Sequence, residues 1–282
     1  MTLAGSDAMG DNTMSPRGVW HAPRSRHIAE LLRNQATALP DTTAVITPEG
    51  RWTYAEWLAE AERVAAALAA DGVGPGDTVA LLAPNCIEWL AVAFGCTAVG
   101  ARLAPFNTWV KGPELAFLLS FARPKVLVVV DRWARQDFLA ELREILPETM
   151  TAVPSRSSHL PNLRRVVVLG EHATTGTTSY RDWLSGVRWS EDAVSPPDDT
   201  AFVLFTSGST ARPKGVTLAH ANLIDNGFEI GERQGIGPKD RLLLVSPLFW
   251  SLGAANALFA TLTHGTCLVL LPQFEAGSAL RT

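Results

Sequence analysis

Nine residues, Thr206-Ser-Gly-Ser-Thr-Ala-Arg-Pro-Lys214, concentrate four hydroxyl side chains, a glycine and a terminal lysine. The hydroxyls of Thr206, Ser207, Ser209 and Thr210 can donate hydrogen bonds to an anion. Gly208 lets the backbone bend so that its N–H groups face the same anion. Lys214 adds a mobile positive charge, and Pro213 stiffens its approach. Such a set suits a polyphosphate. An apolar run ends at Phe205 and a helical pattern begins at His220, so the loop is expected to follow a buried strand and precede a helix. Ligands gather at that position in open α/β sheets. The loop is not a Walker A sequence, because Lys214 is followed by Gly215 and Val216 rather than by Ser or Thr. On residue chemistry alone two readings stay open, a phosphate grip and an ordinary Ser/Thr/Gly loop.

Other familiar chemistries find no support. Gly72, Gly74 and Gly76 follow a helical pattern and precede a strand, the reverse of a dinucleotide fingerprint. There is no Gly-x-Ser-x-Gly elbow, no His-Glu-x-x-His and no Cys-x-x-Cys. His220 opens a helix and reads as a local hydrogen-bonding residue rather than a catalyst.

The elements that must position the loop are legible as periodicity. Arg26–Ala38 has an amphipathic helical pattern, and Thr43–Thr47 with Arg51–Thr53 suggests a short hairpin around "PEG". Thr53 and Glu56 have capping-box spacing for a helix over Tyr54–Ala70. "TVALL" (Thr78–Leu82) and "KVLVVV" (Lys125–Val130) are apolar throughout, as buried parallel strands are. Asn85 is placed to cap a helix over Ile87–Val99, and Pro113–Ser120 reads as a further helix. Later strands are expected at Arg165–Leu169, Ala201–Phe205, Arg241–Ser246 and Thr266–Leu271. Helices are expected at His220–Arg233 and Leu252–Leu262. Alternating strands and helices imply an α/β fold with mostly parallel sheets. "DGVGPGDTVALL" from Asp71 is echoed by "QGIGPKDRLLLV" from Gln234. Either two related units are present, or both are ordinary helix-to-strand turns.

Hydrophobic residues make up 47% of the 282-residue chain and charged residues 18%, enough for a sizeable core. A net charge of −4 without a basic stripe argues against nucleic acid as the partner. Residues 1–24 read as a disordered tail without a secretory h-region. Trp89–Ala101, an uncharged, proline-free apolar run, is too short to span a bilayer. Cys86 and Cys96 on one helix would lie about 15 Å apart, too far to bridge. Together with Cys267 they suggest reduced, packed thiols and a cytoplasmic protein.

"FTSGSTARPKGV" resembles the signature loop of the adenylate-forming enzymes, the superfamily of acyl-CoA synthetases, luciferases and peptide-synthetase adenylation domains. Their pattern is Thr-Ser-Gly-Ser/Thr-Thr-Gly-x-Pro-Lys-Gly. "WTYAEW" at Trp52, the run from Gly76 to Asn107, "LLSFARPKVLVVV" at Leu118, "HANL" at His220 and "SPLFWSLGAANAL" at Ser246 follow in that family's order. The resemblance covers about residues 25–282 and implies two α/β subdomains, 25–195 and 196–282, the second incomplete. It implies ATP, Mg2+ and coenzyme A as cofactors and a small carboxylic acid as substrate. By resemblance, Thr206, Ser207, Gly208, Ser209, Thr210 and Lys214 hold the ATP phosphates, with Thr210 also near Mg2+. Phe249, Trp250, Leu252, Gly253 and Asn256 form a wall of the carboxylate pocket. Trp250 stands where many members carry His, which suggests a bulky apolar gate or else core packing. The apolar wall is compatible with a fatty or an aryl acid.

Two departures matter. Ala211 replaces the family's usual Gly, which costs roughly 1 kcal/mol if that position needs a positive φ. The Tyr-Gly-x-Thr-Glu and Thr-Gly-Asp motifs, the hinge and the small domain with its catalytic lysine have no counterpart before Thr282. Three readings follow: a truncated ligase inactive alone, half of a split ligase completed by a second polypeptide, or a non-catalytic nucleotide- or partner-binding module. The last strand, Thr266–Leu271, is expected to leave an open edge and a large exposed apolar patch.

Overall fold

The computed structural model describes residues 22–153, 157–170, 173–189, 200–206 and 213–281. The expected tail lies almost wholly outside them, as do the acidic segment 191–199 and the loop residues 207–212.

Helix α1 (Ile28–Ala38) buries Ile28, Leu31 and Leu32 and starts two residues later than the apolar pattern suggests. A hairpin of β1 (Thr43–Thr47) and β2 (Gly50–Thr53) leads into α2 (Tyr54–Ala70). The capping box forms: Glu56 N donates to Thr53 Oγ1 at 3.2 Å, and Thr53 N donates to Glu56 Oε2 at 2.8 Å. The alternation continues through β3 (Thr78–Leu82), α3 (Ile87–Ala98), β4 (Arg102–Pro105), α4 (Gly112–Ala122) and β5 (Val126–Val130). Next come β6 (Arg132–Trp133), β7 (Gln136–Asp137), α5 (Phe138–Ile145), β8 (Arg165–Leu169), β9 (Thr178–Ser179) and α6 (Tyr180–Trp183). The last elements are β10 (Thr200–Thr206), β11 (Lys214–Ala219), α7 (His220–Gln234), β12 (Arg241–Leu244), α8 (Leu258–Thr263), β13 (Cys267–Leu270) and α9 (Ala276–Arg281).

Seven strands form one sheet in the order β11-β10-β4-β3-β5-β8-β9, and four form another, β12-β13-β1-β2. Within these sheets every neighbouring pair is parallel except the hairpins β1/β2 and β10/β11. The continuous apolar runs have a simple cause. Val79, Leu81, Val126 and Val128 face one core cluster, while Ala80, Leu82, Leu127 and Val129 face another containing residues of α4 and α5. Strands buried on both faces have no polar side.

The sequence echo is structural. The succession β1-β2-α2-β3-α3-β4 recurs as β10-β11-α7-β12-α8-β13. Both hairpins shift register near their start, between Thr43 and Val45 and between Thr200 and Phe202. Both turns close alike: Gly74 N donates to Asp77 Oδ2 at 2.9 Å, and Gly237 N to Asp240 Oδ2 at 2.8 Å. The hairpins are exchanged. β1 pairs with β13 of the second unit, and β10 pairs with β4 of the first. The sheets therefore do not divide at residues 195/196, although the repeat restarts near there. One core cluster spans both units, with Phe94 against Phe259 (6.4 Å between ring centroids) and Phe259 against Phe202 (6.1 Å).

Several expectations are corrected. Lys214–Ala219 is a strand, so the phosphate-type loop connects a hairpin and does not open a helix. Asn85 does not cap α3; Cys86 occupies that position without a side-chain cap. The expected helix Leu252–Leu262 forms, but its first part, Leu252–Ala257, is π-helical and runs directly into the α-helix from Leu258. β13 is paired on both sides, with β12 and β1, so the open edge is β12. Leu243 in that edge strand and Val245, Trp250, Leu252 and Phe274 beyond it are exposed apolar side chains.

Candidate functional site

The carboxyl ends of parallel strands carry the candidate groups. Thr206 ends β10 and Lys214 begins β11; they are paired across the hairpin and both are exposed. One hydroxyl and one ammonium therefore bracket the connection from which Ser207, Gly208, Ser209 and Thr210 were expected to act. Those four lie outside the described residues, as does Ala211. A long-stemmed cation beside an exposed hydroxyl fits a multiply charged anion such as the phosphates of ATP. Among the described residues there is no group of three or more His, Cys, Asp or Glu able to hold a metal.

Asn85, just beyond β3, joins the two sheets at this end. Its Nδ2 donates to Ser246 O (3.0 Å) and Leu271 O (3.1 Å), and its Oδ1 accepts from Leu248 N (2.7 Å). Asn85 is 3% exposed, so these three bonds replace water for backbone groups beyond β12 and β13. They fix the chain on either side of Pro247. Trp250 N then donates to Pro247 O at 3.2 Å, and a Cβ on Gly253 would meet that same oxygen at 2.4 Å. Glycine is required there by close approach.

The five residues expected in the carboxylate pocket are not brought to one surface. Phe249 is buried and lines a cleft of about 330 Å³ together with Trp109, Trp133, Val245, Pro272 and Phe274. Trp250 is 41% exposed and meets Trp109 edge-on, 5.0 Å between centroids. Leu252 is exposed, Gly253 is buried against Pro247, and Asn256 Oδ1 accepts from Asn226 Nδ2 at 3.0 Å. Trp109 was missed by sequence reasoning. It follows β4, Trp109 N donates to Asn107 Oδ1 at 2.8 Å, and its ring packs on both Phe249 (5.9 Å) and Trp250. A tryptophan inside the polar segment Asn107–Lys111 was the available signal.

A larger cleft, about 890 Å³, was also unforeseen. It lies at the ends of β3, β5 and β8, where strand order reverses around β3, and is lined by Glu49, Glu88, Arg132, Tyr180 and Arg181. Cys86 lines it too, but burial holds its thiol far above the usual range, as it does for Cys96. That disfavours the nucleophilic thiolate at both positions. All three cysteines are free, as expected. His220 is likewise structural: Ile28 N donates to its Nδ1 at 3.3 Å, and its ring stacks on His27 at 4.0 Å. Burial, with His27 beside it, lowers its pKa to about 3, which keeps the ring neutral.

No helix among the described residues is long and apolar enough to cross a membrane. The chain is 35% identical over 266 residues to the acyl-CoA ligase SID4 of Ajellomyces capsulatus, covering 90% of this chain and 44% of that protein. It is 30% identical to the long-chain-fatty-acid–CoA ligase FadD13 of Mycobacterium tuberculosis, covering 89% and 46%. Among solved structures, the anthranilate CoA ligase AuaEII in complex with anthranoyl-AMP superposes with a TM-score of 0.78 at 29% identity, over 89% of this chain and 46% of that one. The N-terminal domain of FACL13 from Mycobacterium tuberculosis gives 0.73 at 28% identity, over 91% and 60%. The chain thus spans about half the length of the ligases it matches. The family described as AMP-binding enzyme matches residues 32–281, and the chain belongs to that family, as the N-terminal portion of an adenylate-forming ligase fold.

Proposed function

We propose that the chain is the signature-loop half of an AMP-forming acid–thiol ligase. The family match over residues 32–281 carries this reading. A carboxylate is a poor acyl donor because its charge repels nucleophiles and oxide leaves badly. In the proposed reaction a carboxylate oxygen attacks the α-phosphorus of ATP, the bond to pyrophosphate breaks, and acyl-AMP forms. A thiol, coenzyme A, then attacks the acyl carbon, AMP departs, and the thiol proton passes to a base. Charge neutralisation and positioning are the main demands of the first step.

This chain's own residues meet part of that demand. Lys214 offsets phosphate charge, and Thr206, Ser207, Gly208, Ser209 and Thr210 donate to the β- and γ-phosphates. Thr210 would contact a magnesium ion, which would neutralise charge on those phosphates. Phe249, Trp250 and Trp109 exclude water from the acid, and the apolar cleft suits a fatty or an aryl chain. Asn85 holds the backbone that presents Phe249. The remaining adenine, ribose and lysine contacts come from residues outside this sequence, and the free, buried thiols support a cytoplasmic location.

Carboxylate-dependent ATP–pyrophosphate exchange tests the reading, with short, medium, long and aryl acids. The chain is assayed alone and co-expressed with the part of FadD13 beyond its matched region. Exchange that requires both an acid and Lys214 is the expected result. Calorimetry of Lys214→Ala gives a separate check: ATP affinity should fall by about tenfold or more, the effect of one charge-assisted contact. Unchanged affinity removes the phosphate role.

A further inference from the structure

The cleft of about 330 Å³ constrains the size and shape of the acid. Four aromatic side chains line it, Trp109, Trp133, Phe249 and Phe274, and among its lining residues none is charged. An acid therefore leaves its carboxylate at the mouth, and its uncharged body fills the cleft. Volume sets the size of that body. A cavity of about 150 Å³ holds one benzene, so this cleft takes about two rings' worth of carbon.

Ring geometry sets its shape. Trp109 stands at 83° to Phe249 and at 76° to Trp250, and Phe249 stands at 79° to Trp250. Three nearly perpendicular planes thus form a corner, of which Trp109 and Phe249 face the cleft. A flat ring laid against the face of one turns its edge to the other, and both arrangements are preferred between aromatic rings. An alkyl chain has no such quadrupole and gains area burial alone. The corner is also fixed. Asn85 bonds the backbone at Ser246, Leu248 and Leu271, Trp109 N donates to Asn107 Oδ1, and Pro84, Pro247 and Pro272 stiffen the lining segments. A fixed cleft favours a rigid ligand, because an alkyl chain must also give up its rotors on binding.

We propose that this cleft selects an aryl acid of one or two rings over a fatty acid, and that Trp109 is the residue that makes the distinction. Its indole comes from the segment after β4 and sets a plane across both Phe249 and Trp250, which follow β12. The inference rests on the ligase reading and names the acid class of that same site.

Calorimetry of the full chain with 2-naphthoate and with undecanoate, which have the same number of carbon atoms, tests the selection. The naphthoate should bind about tenfold more tightly, the effect of one or two ring contacts. Trp109→Ala should remove most of that preference while changing undecanoate affinity less than about threefold, and Trp109→Phe, which restores a ring, should keep it. Trp109 is 58% exposed, so the fold should survive its loss, which an unchanged Tm verifies. Phe121→Ala, at a similarly exposed ring of α4 outside the cleft, should alter neither affinity. Equal affinity for the two acids, binding of neither, an equal loss of both at Trp109→Ala, or the same loss at Phe121→Ala overturns the inference. ATP–pyrophosphate exchange driven better by undecanoate or longer fatty acids than by aryl acids also overturns it, and leaves the ligase reading intact. Selective naphthoate binding by a chain whose ATP affinity is unchanged in Lys214→Ala supports the cleft and counts against the ligase reading.

Discussion

The hairpins β1–β2 and β10–β11 occupy equivalent places in the repeat, yet one ends in a tight turn and the other in a loop. Thr47 pairs with Gly50, so only Pro48 and Glu49 intervene. Thr206 pairs with Lys214, and seven residues intervene, 207–213. Both ladders are antiparallel, shift register near their start and lead into a helix, although β10/β11 is the longer. The same scaffold element therefore serves pairing alone in one unit and carries the hydroxyl-rich connection in the other. The proposed phosphate contacts lie where the repeat departs from itself. The π-helical stretch Leu252–Ala257 is another such departure, because it replaces the regular start of α3 and leaves Trp250 and Leu252 exposed.

The comparison can be broken most severely at the helix contacts. A Cβ on Gly95 of α3 would meet Ala61 O of α2 at 2.6 Å, and one on Gly227 of α7 would meet the Phe259 backbone carbonyl carbon at 2.5 Å. Gly95→Ala and Gly227→Ala should each destabilise by about 3 kcal/mol or more, because backbone must move to admit the methyl. Urea titration measures this. A loss below about 1 kcal/mol in either unit would mean that its helices have room the geometry denies. Next in size is Asn85→Ala, which strips partners from one buried N–H and two carbonyls. About 2–4 kcal/mol should be lost, with the largest rise in hydrogen exchange at Leu248. No local change there would show that the sheets are held together elsewhere.

Acid should separate the two units. The first residue of α2 is Tyr54, whose buried hydroxyl donates to Thr266 O at 2.7 Å. The first residue of α7 is His220, with its pKa down to about 3. The unfolded imidazole binds a proton near pH 6.5 and the folded one does not, so stability falls as pH drops from 6.5 towards 3. One proton limits the slope to about 1.4 kcal/mol per pH unit. His220→Phe should flatten part of that slope in denaturation at pH 4 against pH 7, and an unchanged slope assigns it to other groups. The smallest effect concerns caps. Thr53→Ala should cost about 1 kcal/mol by removing the capping box. Ala219→Ser, at an N-cap without a side-chain bond, should add a few tenths to about 1 kcal/mol. Equal and opposite shifts in Tm would show that the two helix starts are interchangeable.

How much was legible follows from the range of each interaction. The capping box, the Gly-x-Gly-Pro-x-Asp turns and the apolar strands depend on neighbours within a few residues, and they stand in the structure where the sequence places them. The hairpin β10–β11 was read as a strand and then a helix because "KGVTLA" has no strong alternation and its burial is mixed. Asn85 looked like a helix cap because its partners, Ser246, Leu248 and Leu271, are more than 160 residues away. Trp109 joined the candidate site only through ring contacts with Phe249 and Trp250, about 140 positions further along the chain.

By itself the sequence determined the α/β class, the repeated helix-to-strand turn, the signature loop and the family that loop resembles. All of these are written in local spacing, and local spacing survives without knowledge of the fold. The exchange of hairpins between units, the bridge by Asn85, the aromatic cleft around Trp109 and the open edge at β12 were decided only by tertiary structure. Each depends on which distant backbone groups share a sheet. Apart from proline, every residue offers the same backbone N–H and C=O, so strand partners are chosen by packing and closure rather than by a readable code.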